Sequence, residues 1–129
     1  MQLQIIFPLK ESFSGLTEVL ERIAESGLGS FLAVLKLYGE ENDNLISFPM
    51  EGYSLALDFK VSPDVFSLVK DLTDLTINLG GRVYLAKDAL MTPEQFASSY
   101  PGAERFKSFR KKSGLNKYFQ SLQSLRLHI

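Results

Sequence analysis

The spacing of apolar residues along this chain changes period several times, and each change marks a new element. Gln2-Leu3-Gln4-Ile5-Ile6-Phe7 is rich in β-favouring residues and stops at Pro8, which reads as a strand. Leu16, Val19, Leu20 and Ile23 then fall at helical spacing and predict a helix from about Phe13 to Ser26. Ser12 or Ser14 is placed to cap it, and Gly27 and Gly29 to end it in left-handed backbone. Phe31 to Tyr38 predicts a second strand, closed by Gly39 and the polar exit loop Glu40-Glu41-Asn42-Asp43-Asn44. In Tyr53-Ser54-Leu55-Ala56-Leu57-Asp58-Phe59 large apolar residues alternate with small or polar ones, the period of a strand buried on one face.

Ser62-Pro63-Asp64 supplies a capping residue, a first-turn proline and an acid ahead of Val65, Leu68, Val69, Leu72 and Leu75, which predicts a second helix ending at Gly80-Gly81. Arg82 to Ala86 follows as a short fourth strand. Thr92-Pro93-Glu94-Gln95 is a capping box opening a third helix, and the stretch from Ala103 onward reads as one or two more. The order strand, helix, strand, strand, helix, strand predicts an α+β fold: a ferredoxin-like βαββαβ antiparallel sheet with its helices on one face, plus a C-terminal helical extension.

That topology leaves one sheet face free of helices, and alternation says what it carries. Leu3, Ile5 and Phe7 turn toward the helices, as do Tyr53, Leu55, Leu57 and Phe59. Gln2, Gln4, Ser54, Ala56 and Asp58 therefore point to the open face, and Lys36 interrupts the otherwise apolar second strand. Together these residues form a patch of mixed donors and acceptors suited to a polyhydroxylated ligand, although the outer face of any one-sided sheet is also polar because water is there. Lys87 stands at the end of the fourth strand, where a rigid scaffold can hold a binding group; pairing with Asp88 is its alternative role.

Composition narrows the chemistry. The chain of 129 residues, 45% hydrophobic and 22% charged, has the size of one domain spanning residues 1–129. Its formal net charge of −1 argues against a dedicated nucleic-acid binder. Arg105, Lys107, Arg110, Lys111 and Lys112, interleaved with Phe106 and Phe109, read as an amphipathic helix. With no cysteine and one histidine, His128, neither a thiolate metal site nor a cysteine nucleophile is available, and no metal is expected. No serine-acid constellation accompanies His128. Gly80-Gly81 follows a helix instead of opening one, so it is a stop signal and not a phosphate cradle. No run is long and apolar enough to suggest a membrane span or a signal segment, which points to a cytoplasmic protein. The abrupt strand start after Met1 suggests a domain cut from something longer.

Five segments in register carry a resemblance. They are Gln2 to Pro8, Phe31 to Gly39, Ser47-Phe48-Pro49 with Gly52-Tyr53, Leu57-Asp58-Phe59, and Gly80 to Asp88. Phe96 to Pro101 and Phe109-Arg110-Lys111-Lys112 continue it. The chain resembles the C-terminal substrate, or cap, domain of FAD-linked oxidases of the vanillyl-alcohol oxidase superfamily, the group that includes aldonolactone oxidases and decaprenylphosphoryl-ribose oxidase. The resemblance implies a longer enzyme whose N-terminal domain holds FAD while this domain closes over the flavin ring. It also implies oxidation of a carbinol of a sugar, sugar lactone or polyprenyl-phospho-sugar by hydride transfer to flavin.

By the same resemblance Lys87 is the catalytic-site lysine, Gln4 and Lys36 contact substrate, and Gln2 and Tyr84 line the flavin side. Ser54 stands where relatives tend to carry asparagine, and Ala56 where some carry cysteine. A lipid-linked substrate would place the enzyme peripherally at a membrane. Alone, the chain is expected not to turn over and to self-associate through surface that its FAD-binding domain would cover. The alternative is a stand-alone ferredoxin-like small-molecule-binding or regulatory module without catalysis. RNA recognition would need exposed aromatics on the third strand, where Ser54, Ala56 and Asp58 stand instead.

Overall fold

The computed structural model describes residues 1–129. Strands β1 (Gln2–Pro8), β2 (Leu32–Tyr38), β3 (Gly52–Asp58) and β4 (Arg82–Val83) form one antiparallel sheet in the order β2-β3-β1-β4. Helix α1 (Ser12–Ser26) links β1 to β2, and α2 (Pro63–Asn78) links β3 to β4. Each crossover returns to the sheet with one strand between its ends, which is the ferredoxin-like arrangement. The remainder is helical: α3 (Pro93–Ser99), α4 (Ala103–Lys112), α5 (Leu115–Tyr118) and α6 (Leu122–Arg126).

Leu3, Ile5, Phe7, Leu55, Leu57 and Val83 face α1 and α2 and bury against Val19, Ile23, Val65, Leu68, Val69, Leu72 and Leu75. Met91, Phe96, Tyr100, Ala103 and Leu127 belong to the same cluster, so the tail packs into the core beside β4 and is no appendage. The removal of this apolar surface from water is the main force holding tail and sheet together.

Local signals explain most boundaries. Ser62 Oγ accepts from Val65 N–H at 3.3 Å and caps α2, and the Thr92–Gln95 capping box opens α3. Gly81 permits the chain to return tightly from α2, because a Cβ there would come within 2.3 Å of Ile6 O. The start of α1 departs from expectation. It grows out of a 3-10 turn at Leu9–Glu11 and needs no side-chain cap. Ser12 Oγ instead donates to the carbonyls of Phe7 and Pro8 and accepts from Tyr53 N–H, tying the helix start to two strands. At the other end Gly27 alone takes the left-handed conformation (φ 67°), and Gly29 does not.

Two further expectations are corrected. The fourth strand stops at Val83, since a 3-10 turn at Leu85–Lys87 turns the chain away as soon as Tyr84 N–H has bonded Gln4 O. The region after Ala103 holds three helices, divided where Gly114 takes a left-handed angle and where Ser121 and Ser124 cap α6 reciprocally.

Candidate functional site

Strand register sets the face away from α1 and α2 in rows. Gln2 lies opposite Asp58, which lies opposite Leu32; Gln4 opposite Ala56, which lies opposite Val34; and Ile6 opposite Ser54, which lies opposite Lys36. Arg82 joins the last row through Ile6, and Tyr84 joins the middle row through its bond to Gln4 O. The structure thus brings Gln2, Gln4, Lys36, Ser54, Asp58 and Tyr84 onto one face. Lys87 stands one 3-10 turn beyond Tyr84, its N–H bonded to Tyr84 O at 2.9 Å.

The face is not uniformly open, contrary to the simple expectation from topology. The segment between β2 and β3 folds back over it. Phe48 sits edge-on to Tyr38 at 5.9 Å between ring centres and tilted against Tyr84 at 4.8 Å. Gln4 is only 2% exposed, and Ser54 is fully buried. Gln4 Nε2 donates to Ser54 Oγ at 3.0 Å and to Tyr38 Oη at 3.4 Å, which uses both of its amide hydrogens. Its Oε1 has no protein partner and is not among the enclosed unpaired atoms, which are Arg110 Nε and Asn116 Oδ1. An acceptor without a protein partner is therefore held on a locked and almost entirely buried side chain. Ser54 acts as the anchor that orients Gln4.

Beside this covered region Gln2 and Lys36 are exposed and Asp58 is half-buried. Neither Lys36 nor Asp58 has an ion-pair partner within the chain. Lys87 is likewise unpaired, for a structural reason. Asp88, its sequence neighbour, turns inward, accepts from Leu90 and Met91 N–H at 3.0 and 2.8 Å, and meets Arg126 at 2.7 Å. With Asp88 committed to the fold, the Lys87 ammonium keeps its three donors for a ligand. No cluster of three His, Cys, Asp or Glu side chains is present to hold a metal.

Sequence reasoning missed the residues that build the covered half. Arg82 is 5% exposed on this face, donates to Ser47 O at 2.9 Å and Ser99 O at 3.2 Å, and pairs with Glu41 at 2.7 Å. Its guanidinium lies 5.8 Å from the Tyr100 ring, and the Tyr100 hydroxyl donates to Val83 O at 2.6 Å. Burial raises the Tyr100 phenol well above the usual tyrosine range, outweighing the opposite effect of Arg82. Alternation along Gly81-Arg82-Val83 was the available signal for Arg82; nothing in the periodicity places Phe48.

The whole chain, 129 residues, aligns at 31% identity with decaprenylphosphoryl-β-D-ribose oxidase of Mycolicibacterium smegmatis. The chain is a homologue of one segment of the FAD-linked oxidases. The match takes in all of this chain but 28% of that protein. An uncharacterised protein in the mprA 5′ region of Streptomyces coelicolor is 29% identical over 96 residues, 74% of this chain and 26% of the relative. The chain thus spans little more than a quarter of the length of these curated relatives. No protein-family model matches it. The matched stretch, being the whole chain, includes the five segments that carry the resemblance.

Proposed function

We propose that this chain is the C-terminal substrate domain of an FAD-dependent oxidoreductase that oxidises a carbinol of a sugar, sugar lactone or polyprenyl-phospho-sugar. The observation that carries the proposal is the placement of Gln2, Gln4, Lys36, Ser54, Asp58 and Tyr84 on one sheet face, with Lys87 left unpaired at its edge. FAD, held mainly by an N-terminal domain, supplies the acceptor for the hydride that leaves the carbinol carbon.

This chain's part is to bind and orient. Gln4 Oε1 accepts from a substrate hydroxyl while Ser54 and Tyr38 fix the amide plane. Lys36 donates and Asp58 accepts at the open side; they stand four strand positions apart, so they meet separate polar groups of an extended ligand. The Tyr38–Phe48–Tyr84 stack walls off water on the other side. Gln2 and Tyr84 form the flavin-side wall. Lys87 places positive charge and donors where negative charge develops on reduction, a task a flexible ammonium performs well. The donor set fits that role without a phosphate-binding loop in this chain, because the loop belongs to the domain that holds the cofactor.

No helix here is long and apolar enough to cross a membrane. A polyprenyl-phospho-sugar would be met at a membrane surface, and lipid-linked and free sugars are separable by assay. The test is flavin bleaching by candidate sugars in the assembled enzyme. Lys87→Ala should keep the bound flavin's visible absorption but slow bleaching by roughly 100-fold, the effect of losing one donor aimed at developing charge. An assembled protein with no flavin, or wild-type bleaching by Lys87→Ala, would overturn the proposal.

A further inference from the structure

The β2 edge of the sheet is unfinished. All residues from Leu32 to Leu37 are exposed, on both faces at once, which is unusual for a seven-residue strand whose only charge is Lys36. On the helix side Leu35 and Leu37 are 57% and 63% exposed, because α1 and α2 lie over β1, β3 and β4 and leave β2 bare. On the other side Leu32 and Val34 are exposed as well. The outer N–H and C=O groups of β2 meet no strand, since β2 pairs with β3 alone.

The neighbouring helix repeats the pattern. Phe13 and Leu20 of α1 are exposed, Phe13 to 87%, and Phe31 at the start of β2 is exposed too. Between α1 and β2 runs a groove of about 390 Å³ lined by Leu20, Ile23, Ala24, Ala33 and Leu57. Natural sheets blunt a free edge with charges, proline, a bulge or a covering element, and β2 has none of these beyond one lysine. Its composition is that of a strand buried on both faces.

We propose that β2 is an interior strand of a larger sheet, completed by a strand and a helix from the flavin-bearing part of the same enzyme. The strand would take up the outer ladder of β2, and the helix would lie along the α1 groove and cover Leu35, Leu37 and Leu20. Chain length supports this occupant over a second copy of the chain: the unmatched part of the Mycolicibacterium relative is more than twice as long as the matched 28%. This inference rests on the oxidase reading for the identity of the partner and not for the existence of the interface. Lys36, a substrate-side residue, stands on β2 itself, so completing the sheet would fix the strand that carries it.

The experiment is hydrogen exchange on the protein isolated from its own host in whatever polypeptide or complex contains residues 1–129, with flavin read by absorption in the same sample. In a free edge strand alternate amides exchange at nearly coil rates; in an interior strand all are held. Amides of residues 32–38 should exchange as slowly as those of β1, roughly 100-fold or more below a free edge. Leu37→Asp should abolish that protection and the co-purification of the flavin-bearing part, while Val61→Asp, at another exposed apolar site, should preserve both. Fast alternate exchange in the native assembly, or full protection in an oligomer of this chain alone, would overturn the proposal. Protection by a polypeptide without flavin would keep the interface and sink the oxidase reading. Flavin with a free β2 edge would do the reverse.

Discussion

The two edges of this sheet are opposites. At β4 two residues of strand suffice, because the Phe48 segment, Arg82, Tyr100 and the C-terminal helices close over the edge with hydrogen bonds and aromatic contacts. At β2 six of the seven strand residues, Leu32 to Leu37, are exposed on both faces, and only Tyr38 is covered. The short edge is the covered one. Strand length by itself therefore says little about how an edge contributes to stability; what decides it is whether buried polar groups find partners and apolar groups find cover. The candidate site lies between these edges, with Gln4 held by the closed side and Lys36 carried by the bare one.

Substitutions at the two edges should differ accordingly in the isolated chain. Phe48→Ala removes the ring that joins Tyr38 to Tyr84 and opens Gln4 to water, and should cost about 3 to 4 kcal/mol in urea denaturation. A loss under about 1 kcal/mol would show that the segment is not part of the closed edge. Arg82→Met keeps much of the volume but strips Ser47 O and Ser99 O of their donor, for about 2 to 3 kcal/mol by the same measurement.

Tyr100→Phe should cost about 1 kcal/mol at neutral pH through the lost bond to Val83 O. It should also alter the alkaline limb. The folded phenol titrates above the unfolded one, so above about pH 10 the unfolded state loses the proton first, and stability from this group falls as pH rises. Melting curves from pH 9 to 11 should therefore decline less steeply for Tyr100→Phe than for the wild type; parallel curves would place the tyrosine in a wetter setting. Smallest is Leu37→Ala at the bare edge, expected within about 0.5 kcal/mol of wild type in the isolated chain. A cost near that of Phe48→Ala would mean β2 is already covered, for instance by a second copy.

Much of this was legible in the residues. Helical spacing located α1 and α2, the Ser62 and Thr92 caps set the starts of α2 and α3, and alternation assigned Gln2, Gln4, Ser54 and Asp58 to one face. The burial of Gln4 and Ser54 was not legible, because the ring that covers them comes from an irregular segment with no periodicity. Asp88 was weighed as a partner for Lys87, yet it serves Arg126, a contact across 38 positions that no local rule reports.

The sequence by itself determined the order of elements, the ferredoxin-like topology, the face on which the polar candidates stand and, through homology, the kinship with FAD-linked oxidases. These follow from local periodicity and short-range capping, which the chain carries in each window of residues. Only the tertiary structure decided which half of that face is sealed, why Lys87 is free of its neighbour, and that β2 lacks a partner on both faces. Those depend on contacts between residues far apart in the chain, where packing and the pairing of buried polar groups select among arrangements that the local pattern leaves equal.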